Sequence, residues 1–323
     1  MARARAMLGR VSERGLPANL RLAVRALGWY AWSILRPPLG RLQHHAPRPL
    51  RSPRPPSNEM PAGAALSVSI VTPSFNQAEY LERTLRSVLD QGYSALEYRV
   101  QDGASSDGSL AILERYTGAL AAVVSEPDDG QADAINRGFA QTQGEIMAWL
   151  NSDDLLLPGA LQRVAAYFAA NPDVDVIYGD RLLIDEEDRE IGRWVLPDHD
   201  DEVLSWADFV PQETLFWRRR IWDRVGAELD TSYRFALDWD LLVRFRDAGA
   251  RFAHVDEFLG AFRIHAAQKT SSVILDLGRQ EMDRIRMRCL GRVPSDGEIR
   301  RAVLPYLLRH LVRHHSQWLR GRR

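Results

Sequence analysis

Cysteine is almost missing from this chain: Cys289 stands alone among 323 residues. No intrachain disulfide can form and no thiolate zinc site can be built, which is compatible with a reducing compartment. Lysine is equally scarce, Lys269 being the only one, so arginine carries the basic charge. No apolar stretch reaches the roughly 20 residues needed to cross a bilayer. The stretch from Leu20 to Leu35 is broken by Arg21 and Arg25, and it lacks the small-residue cleavage site of a secretory signal. Two phosphate-binding signatures are also absent. No G-x-G-x-x-G follows the first strand-like run and no G-x-x-x-x-G-K-[ST] occurs, so the dinucleotide and P-loop readings fail.

What is present is an ordinary globular composition, 45% hydrophobic and 26% charged, in a chain long enough for one large α/β domain or two smaller ones. The formal net charge of -1 hides an asymmetry. Residues 1–65 hold eleven Arg against two acids, whereas the remainder holds 31 basic and 41 acidic residues. A basic arm on an acidic body points to an anionic surface as its partner. Within the arm, Leu20, Leu22, Ala23, Ala26, Leu27, Tyr30 and Ile34 recur at helical spacing among Arg21, Arg25, Trp29 and Trp32. Such a helix lies on a membrane, or it packs on the body or on a partner subunit. Pro37 to Pro61, rich in Pro and Arg, reads as an extended linker.

From Val68 onward short apolar runs alternate with longer amphipathic ones. Strands are expected at Val68–Thr72, Tyr98–Gln101, Ala121–Ser125, Ile146–Leu150 and Val174–Tyr178. Helices are expected at Gln77–Gln91, Ser109–Tyr116, Gln131–Ala140 and Pro158–Ala170. Strict alternation implies right-handed βαβ units and a mostly parallel sheet flanked by helices. After Gly179 the pattern becomes mixed α+β. Short strands are expected near Leu182–Ile184 and Glu190–Val195, helices near Arg219–Val225 and Trp239–Ala248, and a strand pair at Phe252–Val255 and Phe258–Ile264. Residues 271–323 read as a basic helical tail.

Four polar segments fall at the carboxyl ends of successive strands, where open α/β sheets bind ligands. The first is Thr72-Pro73-Ser74-Phe75-Asn76, in which Pro73 is expected to stop the strand. The second runs from Asp102 and Gly103 to Gly108. Gly103 permits close ligand approach, Asp102 can accept from a base N–H or a ribose hydroxyl, and Asp107 reads as a helix N-cap. The third opens a helix with Gln131 and Asp133, Arg137 lying one turn on. The fourth is Trp149-Leu150-Asn151-Ser152-Asp153-Asp154. Adjacent carboxylates at a buried strand end call for something positive, and Mg²⁺ bridges one or two carboxylates to substrate phosphates. Singly, each aspartate has a capping or helix-dipole explanation. Jointly they suit a nucleoside diphosphate and a metal.

The order VSIVTPSFNQAEYLERTLRSVLDQ, QDGASSDGS, DDGQADAINRG and GEIMAWLNSDDLLLPGAL resembles glycosyltransferase family 2, in its bacterial form, across residues 66–270. The resemblance implies the GT-A fold, with a nucleotide-sugar half at 66–180 and an acceptor half at 181–270. It implies an inverting, metal-dependent transferase using Mn²⁺ or Mg²⁺. Thr72, Pro73, Phe75, Asn76, Asp102, Gly103, Gln131, Asp133 and Arg137 are then expected around the nucleotide. The family's D-x-D falls on Asn151-Ser152-Asp153, with Asp153 the expected metal ligand and Asp154 supporting it or contacting the sugar. The family's E-D segment falls on Leu237 and Asp238, at the start of a helix. Inversion needs a base opposite the leaving diphosphate, and Asp238, beside Trp239, is the expected one, with Asp240 as alternate. The late R-x-H segment falls on Arg263 and His265. His265 is expected on the metal or the leaving group, Arg263 and Lys269 on the diphosphate, and Gln212 and Glu213 in the acceptor loop.

The implied partners are a nucleotide-sugar donor, with UDP as the expected carrier, a glycan or lipid-linked acceptor, and a membrane surface met through the basic termini. Nucleic acid is not among them. The implied location is cytoplasmic, at the inner face of the cytoplasmic membrane. Asn151 and Leu237 stand where the family carries acids, which leaves a non-catalytic nucleotide-sugar-binding subunit as the alternative. A sugar-1-phosphate nucleotidyltransferase would want a Gly-rich basic loop after the first strand, and Thr72 to Asn76 is neither.

Overall fold

The structure, a computed structural model, describes residues 37–50, 66–266 and 277–320. The arm helix expected before Pro37, the later half of the linker and Lys269 lie outside the described residues. Leu39–Arg323 form one compact unit.

Its first half follows the alternating pattern: β1 Val68–Ser74, α1 Ala78–Leu89, β2 Leu96–Asp102, α2 Ser109–Tyr116, β3 Ala122–Ser125, α3 Gln131–Phe139 and β4 Ile146–Trp149. β1 lies between β2 and β4, parallel to both, and β3 extends the sheet from β2. Every residue of β1 is buried, as expected of a parallel strand covered on both faces. Its side chains divide by the two-residue period of a strand. Val71 joins the core with Phe139, Trp149 and Trp217, while Ile70 joins Leu81, Leu85 and Ile146 on the opposite face. Each such fully buried aliphatic side chain stabilises the fold by about 1.5–3 kcal/mol.

Pro73 does not stop β1. It pairs in register with Gln101 of β2. Pairing with β4 ends at Val71, so the imide nitrogen of Pro73 faces the side of the strand that has no ladder partner there, where proline is tolerated.

The second half comprises β5 Leu155–Leu156, α4 Ala160–Ala170, β6 Val176–Ile184, β7 Glu190–Trp194, α5 Asp201–Leu204, a 3₁₀ turn at Gln212–Thr214, β8 Phe216–Arg218, α6 Arg219–Arg224, α7 Leu237–Asp247 and β9 Phe252–Arg263. The sheet order is β3-β2-β1-β4-β8-β6-β9-β5, with β7 on β6. β8 joins the halves, antiparallel to both β4 and β6. This is the mostly parallel, helix-flanked α/β sheet with a mixed second half that the sequence implies.

Three details differ from expectation. β6 runs unbroken through Gly179, where a Cβ would lie 2.5 Å from the Glu257 carbonyl and 2.6 Å from Leu259. The glycine therefore allows close approach of β9 and does not end the strand. The expected strand pair at 252–264 is a single strand parallel to β6, its register shifting around Asp180. Leu155–Leu156 pair with Ala261 and Gly260 of β9, holding the preceding acidic turn against the end of that strand. Two residues are too few to show any periodicity.

The stretch read as a basic tail, α8 Arg279–Leu290 and α9 Asp296–Arg320, belongs to the body. Ile285 and Tyr306 are buried in the same core as Trp217 and Trp239. Part of the stretch read as a linker also packs there. The backbone N–H of His44 donates to Ile191 O (2.8 Å) and that of Arg48 to Glu190 O (3.0 Å), covering the open edge of β7. Leu39 N donates to His310 Nε2 of α9 at 3.1 Å. Among the described residues no helix is long and apolar enough to cross a membrane.

Candidate active site

The nucleotide-side loops are stapled to one another. Asp102, at the end of β2, is fully buried and accepts from Ser105 Oγ (2.5 Å), Ser105 N (2.9 Å) and Ser125 Oγ (2.7 Å). Three of the roughly four acceptor positions of a carboxylate are thus filled internally. Asn76, at a φ of 52°, donates its N–H to Ser105 Oγ and accepts from Ser106 N. Phe75 is left 61% exposed. A Cβ on Gly103 would lie 3.3 Å from the Phe75 ring and 2.7 Å from Asp128 Oδ2. Glycine there opens a shelf with an aromatic face on one side and a carboxylate on the other, a setting suited to a planar base. Thr72 is turned away from it, its hydroxyl bonding Tyr98 OH at 2.8 Å inside the sheet. Asp133 accepts from Asp129 N (3.0 Å) and pairs with Arg137 (2.7 Å), which also binds Glu126 (3.0 Å). These two side chains fasten the start of α3.

A polar chain then crosses the strand ends. Gln131 Nε2 donates to Asn151 Oδ1 (2.7 Å), Asn151 Nδ2 to Gln212 Oε1 (3.0 Å), and Gln212 Nε2 to Trp149 O (2.9 Å). Asn151 both accepts and donates, which an ionised aspartate cannot do. The departure from the family's acid therefore has a structural reason.

The two following carboxylates point in opposite directions. Asp153 stays 21% exposed, its Oδ2 3.0 Å from His265 Nε2. Asp154 is buried and accepts from Arg263 N at 3.0 Å. Burial pushes its carboxyl well above the usual range, Asp153 and Glu213 adding to the effect and the Arg263 amide opposing it. Asp154 is thus placed beneath the turn that carries Asp153. Ser152 is buried as well, its carbonyl accepting from Thr84 Oγ1 at 2.9 Å. The buried guanidinium of Arg263 holds Asp153 O (2.7 Å), Asp185 O (3.0 Å) and the Asp188 carboxylate. It braces the acidic turn from behind.

Among the described residues no group of three or more His, Cys, Asp or Glu is placed to hold a metal ion. Asp153, part-exposed, and His265, buried, nevertheless bring one oxygen and one nitrogen together at the turn. Mg²⁺-type ions take few protein ligands and complete their shell with phosphate oxygens and water. The pair fits an ion shared with a diphosphate.

In the second half Asp238 is the second residue of α7. It is half-buried, and its Oδ1 accepts from Trp239 N at 2.9 Å. Burial pushes its carboxyl up to about 6, with the Trp239 N–H and the Arg181 charge opposing the rise. The exposed Asp208, on the loop before the 3₁₀ turn, interacts with it electrostatically. Desolvation, with Asp238 adding to it, pushes the Asp208 carboxyl up. Asp240 is different. It is buried, with Oδ2 bound by Arg244 (2.9 Å) and Oδ1 by Arg288 (2.7 Å). Both oxygens are ion-paired, so it is no alternate base. Glu213 likewise faces inward, to a buried arginine, Arg181, and not to an acceptor.

Four further residues of this region were not singled out from the sequence. Asp128 borders the shelf and Asp208 neighbours Asp238. Arg181 meets Glu213. Glu281 of α8 accepts the backbone N–H groups of Arg234, Phe235 and Ala236 at 2.8, 2.8 and 2.9 Å, fixing the chain just before α7. Their partners are distant in sequence, so neither spacing nor periodicity marks them. Asp128 alone had a local cue, its place in the Asp-Asp-Gly turn before α3.

The glycosyl transferase family 2 model matches residues 69–227. An uncharacterized glycosyltransferase of Nostoc sp. is 28% identical over 229 residues, covering 67% of this chain and 70% of that protein. An O-antigen biosynthesis protein of Myxococcus xanthus is 28% identical over 253 residues, 76% of this chain but 20% of that protein. Among solved structures, S. aureus TarS 1-349 in complex with UDP-GlcNAc matches with a TM-score of 0.58 at 17% identity, over 76% of this chain and 73% of that one. A mannosyltransferase from Pyrobaculum calidifontis in complex with GDP-Man and Mn²⁺ matches with a TM-score of 0.55 at 19% identity, over 91% and 80%. The fold is that of GT-A glycosyltransferases, and residues 69–227 form a glycosyltransferase family 2 domain.

Proposed function

We propose that this protein moves a sugar from a nucleoside-diphosphate donor, a UDP-sugar, to a hydroxyl of a glycan or lipid-linked acceptor, with inversion, in surface polysaccharide biosynthesis. The observation that carries the reading is the pairing of two unlike sites along one sheet edge. Asp153 and His265 offer an oxygen and a nitrogen to one metal ion. Asp238 offers a half-buried carboxylate whose proton affinity is raised to about 6.

A carboxylate near that value is ionised at neutral pH yet holds a proton better than an ordinary aspartate, as a general base should. Asp238 takes the acceptor hydroxyl proton as that oxygen attacks the anomeric carbon, opposite the departing diphosphate. Phe75 stacks the base, and Asp128 accepts from its ring N–H. When bound by Asp153 and His265, Mn²⁺ or Mg²⁺ supplies charge that offsets the diphosphate as its bond to the sugar breaks. The UDP-GlcNAc of TarS and the O-antigen role named for the Myxococcus protein support the donor and acceptor classes. Docking at the inner face of the cytoplasmic membrane is supported by α9, whose exposed Leu304, Leu308 and Val312 recur every fourth residue beside exposed Arg300 and Arg301.

The test is transfer from a panel of nucleotide sugars to lipid-linked and glycan acceptors, with Mn²⁺ and then with EDTA. Metal-dependent transfer from one donor class upholds the proposal. Full activity in EDTA would remove the metal role. Donor binding without turnover across the whole panel would leave a nucleotide-sugar-binding subunit.

A further inference from the structure

We propose that one buried face of α1, carrying Tyr80 and Thr84, sets the spacing of Asp153 and His265, with Tyr80 the positioning residue for the His265 ring. The inference rests on the metal role given to that pair above. Tyr80 and Thr84 lie four residues apart, so the helix puts them on one face, and both are buried. The Tyr80 ring centroid lies 4.7 Å from that of His265, the planes inclined by 47°. The Thr84 hydroxyl lies 2.9 Å from Ser152 O and 2.8 Å from Asp154 O, the carbonyls on either side of Asp153. One face of one helix thus touches the imidazole and pins the backbone that carries the carboxylate.

Tyr80 is itself held in place. The Arg263 and Arg83 guanidinium carbons lie 4.9 and 5.2 Å from its ring centroid, within cation–π reach. Both arginines pair with Asp188, Arg83 at 3.1 Å, which ties them to each other around the ring. Arg263 also donates from Nε to Asp153 O at 2.7 Å, so the ring that meets His265 is anchored to the turn that carries Asp153. Among the described residues Tyr80 packs outside the hydrophobic clusters that take Leu81 and Leu85 of the same helix. Its ring is met by an imidazole and two guanidinium groups. What this arrangement fixes is a separation: Asp153 Oδ2 and His265 Nε2 lie 3.0 Å apart. Neighbouring ligand atoms of an octahedral ion with bonds of about 2.1 Å are also about 3.0 Å apart. An imidazole turns about two side-chain bonds, and the second of these has broad torsional preferences, so a packed wall decides whether Nε2 keeps that separation.

The experiment is Mn²⁺ binding to the full chain with UDP present, read by the electron paramagnetic resonance signal of the unbound ion. Tyr80→Leu should weaken Mn²⁺ binding by about 10-fold, the low end for losing a group that orients a metal ligand. Tyr80→Phe keeps the ring and should bind within about 2-fold of the native protein. His265→Ala removes the ligand and should weaken Mn²⁺ at least as much as Tyr80→Leu. Adding Tyr80→Leu to His265→Ala should then cost nothing further, because the ring has no imidazole left to place. UDP affinity in EDTA should be the same in all of these variants. Native Mn²⁺ affinity in Tyr80→Leu, or a second full loss in the double variant, overturns the proposal and leaves the metal role of His265 standing. If Tyr80→Leu does not fold by circular dichroism, Thr84→Val decides. It fills the same space without the hydroxyl and should weaken Mn²⁺ by a similar factor, native affinity being the overturning result. Equal Mn²⁺ binding by the native protein and His265→Ala overturns the metal reading itself, and the proposal with it.

Discussion

The two halves of the site are held by different means. On the donor side, polar groups are fixed by neighbours a few residues away or on the next loop: Asp102 by Ser105 and Ser125, Asn76 by Ser106. On the acceptor side, the carboxylates are fixed by partners from remote parts of the chain: Glu213 by Arg181, Asp240 by Arg288, the start of α7 by Glu281. Loops of the first kind form as soon as their strands pair. The second kind exists only when the whole body, including α8, has assembled. The donor shelf should therefore tolerate single changes locally, whereas changes behind Asp238 should couple stability to turnover.

The sharpest break between the halves is Asp238→Asn. It removes the proton acceptor and leaves the donor shelf intact, so transfer should fall by about 10²–10⁴-fold. Binding of UDP, followed by calorimetry, should be unchanged. In the native protein, activity should decline as pH falls through about 6, because the folded carboxyl is pushed up to that value and protonation removes the base. A native profile flat from pH 5 to 8 would deny Asp238 the role.

Glu281→Gln comes next. One buried carboxylate accepts three backbone N–H groups ahead of α7, and charged acceptors contribute more than neutral ones. The change should destabilise the protein by about 1.5–3 kcal/mol, read as a lower urea midpoint with unchanged slope. Turnover should fall with it because Asp238 loses its fixed start of helix. If stability drops while turnover per folded molecule holds, α8 is only a brace.

The same division explains what could be read from the sequence. The parallel half was legible because its strands are apolar runs and its helices amphipathic, and because each polar motif is local. Asp153 and His265 were marked by their motifs, and the structure brings them together. Asp133 and Arg137 pair with each other, and a helix-start ion pair looks the same in sequence as a ligand site. Asp240 was misplaced for a different reason: Arg288, which neutralises it, is 48 residues away. Gly179 misled in the same way, since a glycine that admits a neighbouring strand is indistinguishable from one that breaks its own.

Asn151→Asp restores the acid that family resemblance would put there, and it tests whether the polar chain across the strand ends matters. The substitution removes the Nδ2 donor to Gln212 and sets a second charge beside the buried Asp154. The expected result is a loss of about 1–3 kcal/mol in unfolding free energy with no gain in metal affinity. A more active and equally stable protein would show that position 151 serves the ion and not the scaffold.

The smallest expected effect lies on the donor shelf. Phe75 is exposed, so truncating it removes no core packing, and Asn76 and Ser105 keep the loop in place without it. Phe75→Ala should leave the thermal midpoint within experimental error. An aromatic contact contributes about 0.5–1.5 kcal/mol beyond area burial, so UDP affinity should weaken by about 2- to 12-fold, while acceptor KM stays unchanged. Asp128→Asn should add its own loss for uridine nucleotides, because an amide can present the wrong group to the base N–H. If Phe75→Ala lowers stability instead, the donor half is not locally self-supporting, and the contrast between the two halves fails at its simplest point.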